Sequence, residues 1–350
     1  MRLMFVYWAF EDQGSGLLLQ GYSRAARALG HEVAVYGRPN PKIPLNYSLD
    51  VASADAVVFI FEWTTRLQQG DALDLVRLVS RLPRRRRVIL DGDGNYNALV
   101  RVGADYNHKT EGERQAWVEV CDCLTDKVCQ PTLHPLCPSV RTFLFYCYNP
   151  GWEVPLAFRD KQYTMLYVGH SKFRWAPMER VLRAIEPVRD RVGRLGVVGH
   201  GWDALPAWAG PMHMEDAYYT DVPYMKRLGV EFLPPVPFEQ VVAWMSKATF
   251  NPVISRPTFN RLRLVTPRFF ETPAASTIPL FGLDDAYVAE IYGDRALELV
   301  LPVERPRDKI LDMQRRPEYY ACIVGGIRRH LAERHSQAAR LEELIEIVES

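Results

Sequence analysis

An α/β fold of two Rossmann-like domains facing one another across a cleft is predicted by three features of this 350-residue chain. Apolar runs of strand length alternate with stretches of helical spacing, the pattern of βαβ units around parallel sheets. That pattern occurs as two series, and Asn149-Pro150-Gly151-Trp152-Glu153-Val154-Pro155 breaks the periodicity between them as a linker does. The chain is also too long for one ordinary core. The expected division is residues 1–155, residues 156–317 and a helical segment over 318–350.

In the first series, residues 3–8 read as a buried strand. Gly14-Ser15-Gly16 follows as a tight turn, a helix covers 17–29, Gly30-His31-Glu32 ends it, and 33–36 is the next strand. This is a βαβ opening with a Gly-rich first turn, short of a full dinucleotide fingerprint, so NAD is not implied. The continuous apolar run 56–61 suits a strand buried on both faces. Leu73, Val76, Leu78 and Val79 have helical spacing within 71–82. The basic run 84–87 leads into strand 88–90 and reads as a solvated loop, with a peripheral contact to anionic lipid as the alternative. Residues 141–146 are expected to be the last strand of this domain.

The second series opens with strand 165–168, a loop at Gly169-His170-Ser171-Lys172, a helix over 178–188 and strand 195–199. An aromatic-rich, irregular stretch spans 202–229 before strand 230–232, then come a helix over 238–247 and a strand over 249–254. Short helices are expected over 285–292 and 308–313, and a long helical stretch over 318–348 with a break at Gly325-Gly326.

Lys plus Arg number 43 against 42 Asp plus Glu, a formal charge of +1, which argues against nucleic-acid binding by bulk charge. No run of about 18 apolar residues exists, so no transmembrane helix is expected. The N-terminal Met1-Arg2-Leu3-Met4-Phe5-Val6-Tyr7 reads as a strand rather than a signal peptide, and a cytoplasmic location follows as the expectation. Five of the six cysteines fall between Cys121 and Cys147 without Cys-x-x-Cys pairs, so buried free thiols are expected rather than zinc. On a strand, Cys121 and Cys123 would share a face. A nucleophile elbow and a Walker motif are both absent.

Chemistry concentrates at 266–281, Thr266-Pro267-Arg268-Phe269-Phe270-Glu271 and onward. Thr266 can cap a helix and Pro267 suits its first position, so Arg268 and Glu271 share one helix face. A helix N-terminus and a cation attract phosphate, and a carboxylate one turn on accepts from sugar hydroxyls. Asp91-Gly92-Asp93-Gly94 follows strand 88–90 and Glu62 follows strand 56–61, both at strand C-termini where open α/β sheets bind ligands. The Asp-Gly run resembles a calcium loop, but the rest of an EF-hand is missing. Asp105, Asn107 and His108 form a further polar cluster.

Glu271, the small residues after it and Thr277-Ile278-Pro279-Leu280 resemble the donor-binding helix of GT-B glycosyltransferases, especially the family 4-like retaining enzymes. Arg268 to Glu271 is similar to the divergent Arg-x-Phe-Glu branch of that group, and Gly30-His31-Glu32-Val33 to a tetrad that closes its first helix. Ser276 stands for the usual glycine, and Arg263 for the family's first glutamate. The resemblance implies transfer of a sugar from a nucleoside-diphosphate sugar, with retention, without metal or cofactor. It places Glu271 on the ribose and Lys172, Arg174 and Arg268 on the diphosphate, with Gly14, Gly16 and Gly169 also on the donor side. Phe232 or Val236 would line the nucleobase pocket. The N-terminal domain would hold the acceptor through Glu62, Asp105 and Asn107, with Asp91, Asp93 or His108 as the catalytic group. The implied acceptor is a small molecule, a glycan or a lipid-linked species, not a nucleic acid. The segment 335–350 would cross back onto the first domain. The alternatives are a nucleotide-sugar epimerase on the same fold and a non-catalytic nucleotide-sugar-binding protein.

Overall fold

The computed structural model describes residues 1–7, 14–37, 39, 43–61, 81–94, 96 and 111–350. Two separate parallel sheets carry it. The first has seven strands: β1 (Arg2–Val6), β2 (Glu32–Tyr36), β3 (Tyr47–Ser48), β4 (Ala56–Ile60), β5 (Arg87–Leu90), β6 (Val128–Gln130) and β7 (Val140–Thr142). Their order is β3-β2-β1-β4-β5-β6-β7. The second has five: β8 (Tyr163–Val168), β9 (Leu195–Val198), β10 (Val230–Leu233), β11 (Ala248–Val253) and β12 (Ile278–Phe281), in the order β10-β9-β8-β11-β12.

Both orders reverse direction beside their first strand. β1 pairs in parallel with β2 and β4, and β8 with β9 and β11. Such a switch point opens a crevice at the strands' C-terminal ends, because successive connections leave on opposite sides. It brings the loops after β8 and β11 together although about eighty residues separate them in sequence.

The first sheet carries α1 (Gly14–Ala28) and α2 (Glu111–Leu124). The second carries α3 (Trp175–Ile185), α4 (Val222–Arg227), α5 (Val241–Met245), α6 (Pro257–Arg261), α7 (Arg268–Ala274), α8 (Asp285–Tyr292), α9 (Pro306–Arg315) and α10 (Pro317–Arg334). α11 (Gln337–Glu349) lies on α1, burying Leu341, Leu344, Ile347 and Val348. Lys127 Nζ donates to the Val348 carbonyl at 2.6 Å, holding that helix end against the first sheet. Tyr22 of α1 stacks on Phe145 with centroids 5.5 Å apart and donates its hydroxyl to the Phe145 carbonyl.

Several local expectations change. Gly14-Ser15-Gly16 is the first turn of α1 rather than a loop before it, and Gly16 packs on Ile43. Cys121 and Cys123 lie on α2, where one is buried and the other exposed, because two residues apart on a helix do not share a face. β7 stops at Thr142, and 143–148 continues as buried chain outside the ladder. α10 runs unbroken through Gly325-Gly326, its packing outweighing the glycine penalty of about 1 kcal/mol each. The predicted helix over 71–82 lies largely outside the described residues.

Candidate functional site

The loop after β8 is built by tight backbone packing. Gly199, with φ at +138°, follows β9, and a Cβ there would stand 2.4 Å from the Gly169 carbonyl oxygen. Only glycine allows that approach. Trp202 Nε1 donates to the same carbonyl at 2.7 Å, and the Ser171 amide donates to His200 O at 3.0 Å. Phe173, held at φ +54°, donates its amide to Ala217 O. The aromatic stretch after β9 thus clamps the loop that carries Lys172 and Arg174.

Those two cations meet a third that sequence reasoning missed. Arg256 leaves the C-terminal end of β11, directly beside β8 at the switch point. Lys172 is 4% exposed, and its ammonium is held down to about 7 by burial first and then by the charges of Arg256 and Arg174. Arg256 is itself lowered to about 10 by burial and by Arg174. His170 is lowered to about 4 by desolvation, then by Arg174, His200, Arg268 and Arg256. The charges of Arg256 and Arg174 thus reach Lys172, and those of Arg174, Arg256 and Arg268 reach His170, so four cations surround this loop. Repulsion among them costs free energy that an anion recovers. Nε of Arg174, Nε of Arg256 and Nη1 of Arg268 are buried without a hydrogen-bond partner, as are the hydroxyls of Ser171 and Ser255.

The anion that opposes them comes from the other domain. The charge of Asp93, in the loop after β5, raises both Lys172 and Arg256. Asp91 plays another part. It is 1% exposed, and its Oδ2 accepts from the Tyr96 amide at 2.7 Å and from Gln130 Nε2 at 2.9 Å. Its carboxylate braces the turn that presents Asp93.

Glu271 lies on α7, one turn from Arg268. Its Oε2 stands 3.2 Å from Arg268 Nη1, but the alignment makes no hydrogen bond and both atoms stay unsatisfied. Burial pushes the Glu271 carboxyl above its ordinary value, with Arg268 opposing. The expected Thr266 hydroxyl cap is not made. α7 has only seven residues, and its first amides bond to the carbonyls of Thr266 and Pro267 in tight turns. The attraction for an anion here rests on the side-chain cations, not on that helix end.

Glu271 and Pro267 line a cavity of about 370 Å³ between the two sheets. Leu17 and Leu18 of α1, Tyr146 and Cys147, and Gly151, Trp152 and Val154 of the linker form one side. Phe238, Glu239, Val242 and Ala243 form the other. The lining is mainly apolar with two carboxylates, the character of a small-molecule site. Phe232 and Val236 do not line this cavity. Arg263 takes φ +51° and points its guanidinium at Asp284, 3.5 Å away. Glu62, Asp105, Asn107 and His108 lie outside the described residues. Among the described residues, no group of three or more His, Cys, Asp or Glu is gathered to hold a metal ion.

The architecture is that of GT-B glycosyltransferases. An alpha-glucosyltransferase in complex with UDP and a 13-mer DNA containing a central A:G mismatch superposes with a TM-score of 0.66 at 13% identity, over 100% of this chain and 99% of that one. Sucrose-phosphate synthase from Thermosynechococcus elongatus gives 0.62 at 14% identity, covering 99% and 98%. T4 phage BGT in complex with UDP and Mn2+ gives 0.57 at 12%, covering 100% of both chains. No family model and no curated relative matches the sequence.

These neighbours correct one expectation. Near-neutral net charge argued against a nucleic-acid partner, yet alpha-glucosyltransferases of this fold are seen with DNA bound. A net charge sums the whole surface and leaves local fields undetermined. Of the basic run 84–87, Arg84–Arg86 is an exposed turn at the N-terminal end of β5, away from the crevice, with Arg84 paired to Asp126 at 2.6 Å, whereas Arg87 is not solvated: it is buried as the first residue of β5 and its Nε donates to Leu82 O at 3.0 Å. No helix among the described residues is long and apolar enough to cross a membrane.

Proposed function

We propose that this chain is a glycosyltransferase that moves a sugar from a nucleoside-diphosphate sugar onto a hydroxyl carried by DNA. The observation that carries the donor half is the gathering of Lys172, Arg174, Arg256 and Arg268, the last of them paired with Glu271 on the cavity wall. The diphosphate sits among the cations, which also meet the charge that develops on the leaving group. Glu271 accepts from the ribose hydroxyls, and the apolar cavity walls cover the base. Asp93 faces the cations from the opposite domain and takes the acceptor proton as the hydroxyl oxygen bonds to the anomeric carbon and the diphosphate leaves. Retention, which the family resemblance implies, is the expected outcome.

The acceptor half is supported by the DNA-bound neighbours. Unmodified bases offer no alcohol, so the acceptor is a hydroxylated base, and one within a duplex has to leave the stack to reach the cleft. Release of free nucleoside diphosphate from a panel of nucleotide sugars tests the whole reading. We expect release to rise when DNA with a hydroxymethylated base is added and the product base to carry an α-linked sugar. Release stimulated only by a sugar phosphate would reject the DNA acceptor while keeping the transferase. The same assay separates the epimerase and the non-catalytic binder, neither of which gives nucleotide release that depends on an acceptor.

Glu271→Ala is expected to weaken nucleoside-diphosphate binding by about tenfold or more, one charge-assisted hydrogen bond or two. Arg268 loses the carboxylate 3.2 Å from it, so affinity is read on protein whose fold has been checked by its melting temperature. Calorimetric affinity equal to the unmodified protein's would remove Glu271 from the donor site.

A further inference from the structure

The chain crosses between the domains twice, and a guanidinium shortly before the second crossing holds the first. The first crossing is the linker 149–155, and the second runs from α10 into α11 at 334–336. The two crossings pair directly: the Tyr148 amide donates to His335 O at 2.8 Å, and Tyr148 bridges Ser336 in parallel. Arg328, on the last turns of α10, is 7% exposed and reaches from the second crossing to the first. Its Nη2 donates to Val154 O at 2.9 Å, and its Nη1 stands 3.5 Å from Glu153 Oε2. Glu153 in turn accepts from the Tyr148 hydroxyl at 2.8 Å.

The same guanidinium closes the end of the donor helix. Nε donates to Pro273 O at 2.8 Å, and Nη2 to Ala274 O and Ala275 O at 3.0 Å each. Pro273 and Ala274 are the last residues of α7 and Ala275 is its C-cap, so these carbonyls lack partners within the helix. The Val154 amide donates to Ala274 O at 2.9 Å, so linker and helix are also joined by backbone. Gly151, Trp152 and Val154 on one side and Pro267 and Glu271 on the other are walls of the same cavity.

We propose that Arg328 is a positioning residue that locks the interdomain linker to the C-terminal end of α7, and so sets the distance of Glu271 from the opposite wall of the nucleoside cavity. It touches no substrate. A planar guanidinium spans the three helix carbonyls, the linker carbonyl and the carboxylate at once, which a lysine ammonium does not. The proposal rests on the reading of Glu271 as the donor's ribose ligand.

The test compares Arg328→Lys, Arg328→Met and Glu271→Ala, using UDP and GDP as calorimetric probes and amide exchange at Val154 as a direct readout. In Arg328→Lys we expect a folded protein, nucleotide affinity lowered by roughly fivefold to tenfold, and faster exchange at Val154. The Met variant should go further in the same direction. If it does not fold, the Lys variant alone decides. Native affinity in a folded Arg328→Lys, with Glu271→Ala impaired, overturns the positioning role. If Glu271→Ala binds nucleotide normally, the donor reading fails instead, and Val154 exchange still judges the lock: unchanged protection in Arg328→Lys overturns it.

Discussion

Replacing Arg256 by methionine is expected to weaken nucleoside-diphosphate binding roughly 10²-fold, the loss of a bidentate charge-assisted contact of about 3 kcal/mol. Part of this residue's effect runs through Lys172. Burial, with Arg256 and Arg174, brings the Lys172 ammonium down to about 7 in the unliganded protein. A bound diphosphate stabilises the charged form and raises that value. Below pH 7 the lysine is already protonated and binding takes up no proton. Above pH 7 binding takes one up, so affinity falls as pH rises, by at most about tenfold per unit. Arg256→Met removes a repelling neighbour, so the onset of that fall moves to higher pH. For folding the sign is opposite. Between about 7 and the ordinary 10.5, the unfolded chain holds more protons at this lysine than the native state, and its contribution to stability rises with pH. Calorimetry from pH 6 to 9 in buffers of different ionisation enthalpy reads both affinity and proton uptake. Affinity that is flat across this range, without uptake, would show that Lys172 does not meet the phosphate.

The parts of this site that were readable in sequence are those that follow a strand within a few residues. Lys172 and Arg174 stand just after β8, and Asp93 just after β5, so their placement at the crevice followed from the strand pattern. Arg256 also follows a strand, but Ser255-Arg256-Pro257 carries no motif. Its importance depends on β11 lying beside β8, and strand order is a tertiary property. Asp91 and Asp93 could not be told apart for a related reason. Their division depends on Gln130 from β6, a strand of three residues, too short to show periodicity. The long apolar strands were legible because both their faces are buried. β3, β6 and β7 have only two or three residues each, too few to show a period. Arg328 was invisible because its role is to join segments that sequence shows only as a linker and a helix end.

Asp93→Asn should lower turnover by roughly 10²–10⁴-fold, the range for loss of a general base. The accompanying change in donor affinity is the sharper signature. Asp93 is an anion beside Lys172 and Arg256, so it competes electrostatically with the diphosphate for the same cations. Neutralising it leaves their positive field less compensated, and nucleotide binding should tighten rather than weaken. A residue that acts only in the transition state lowers kcat and leaves binding alone. One that also repels the ground-state anion lowers kcat while lowering KM for the donor. Asp91→Ala gives the contrast. It removes the acceptor for the Tyr96 amide and for Gln130 Nε2, so its cost should appear first as lost stability, about 1–3 kcal/mol for a buried donor left unpaired. Turnover and donor affinity measured side by side on the two variants separate these roles. An Asp93→Asn enzyme that turns over normally with its acceptor would take the base away from this loop. Slow turnover with weakened donor binding would make Asp93 part of the donor site instead.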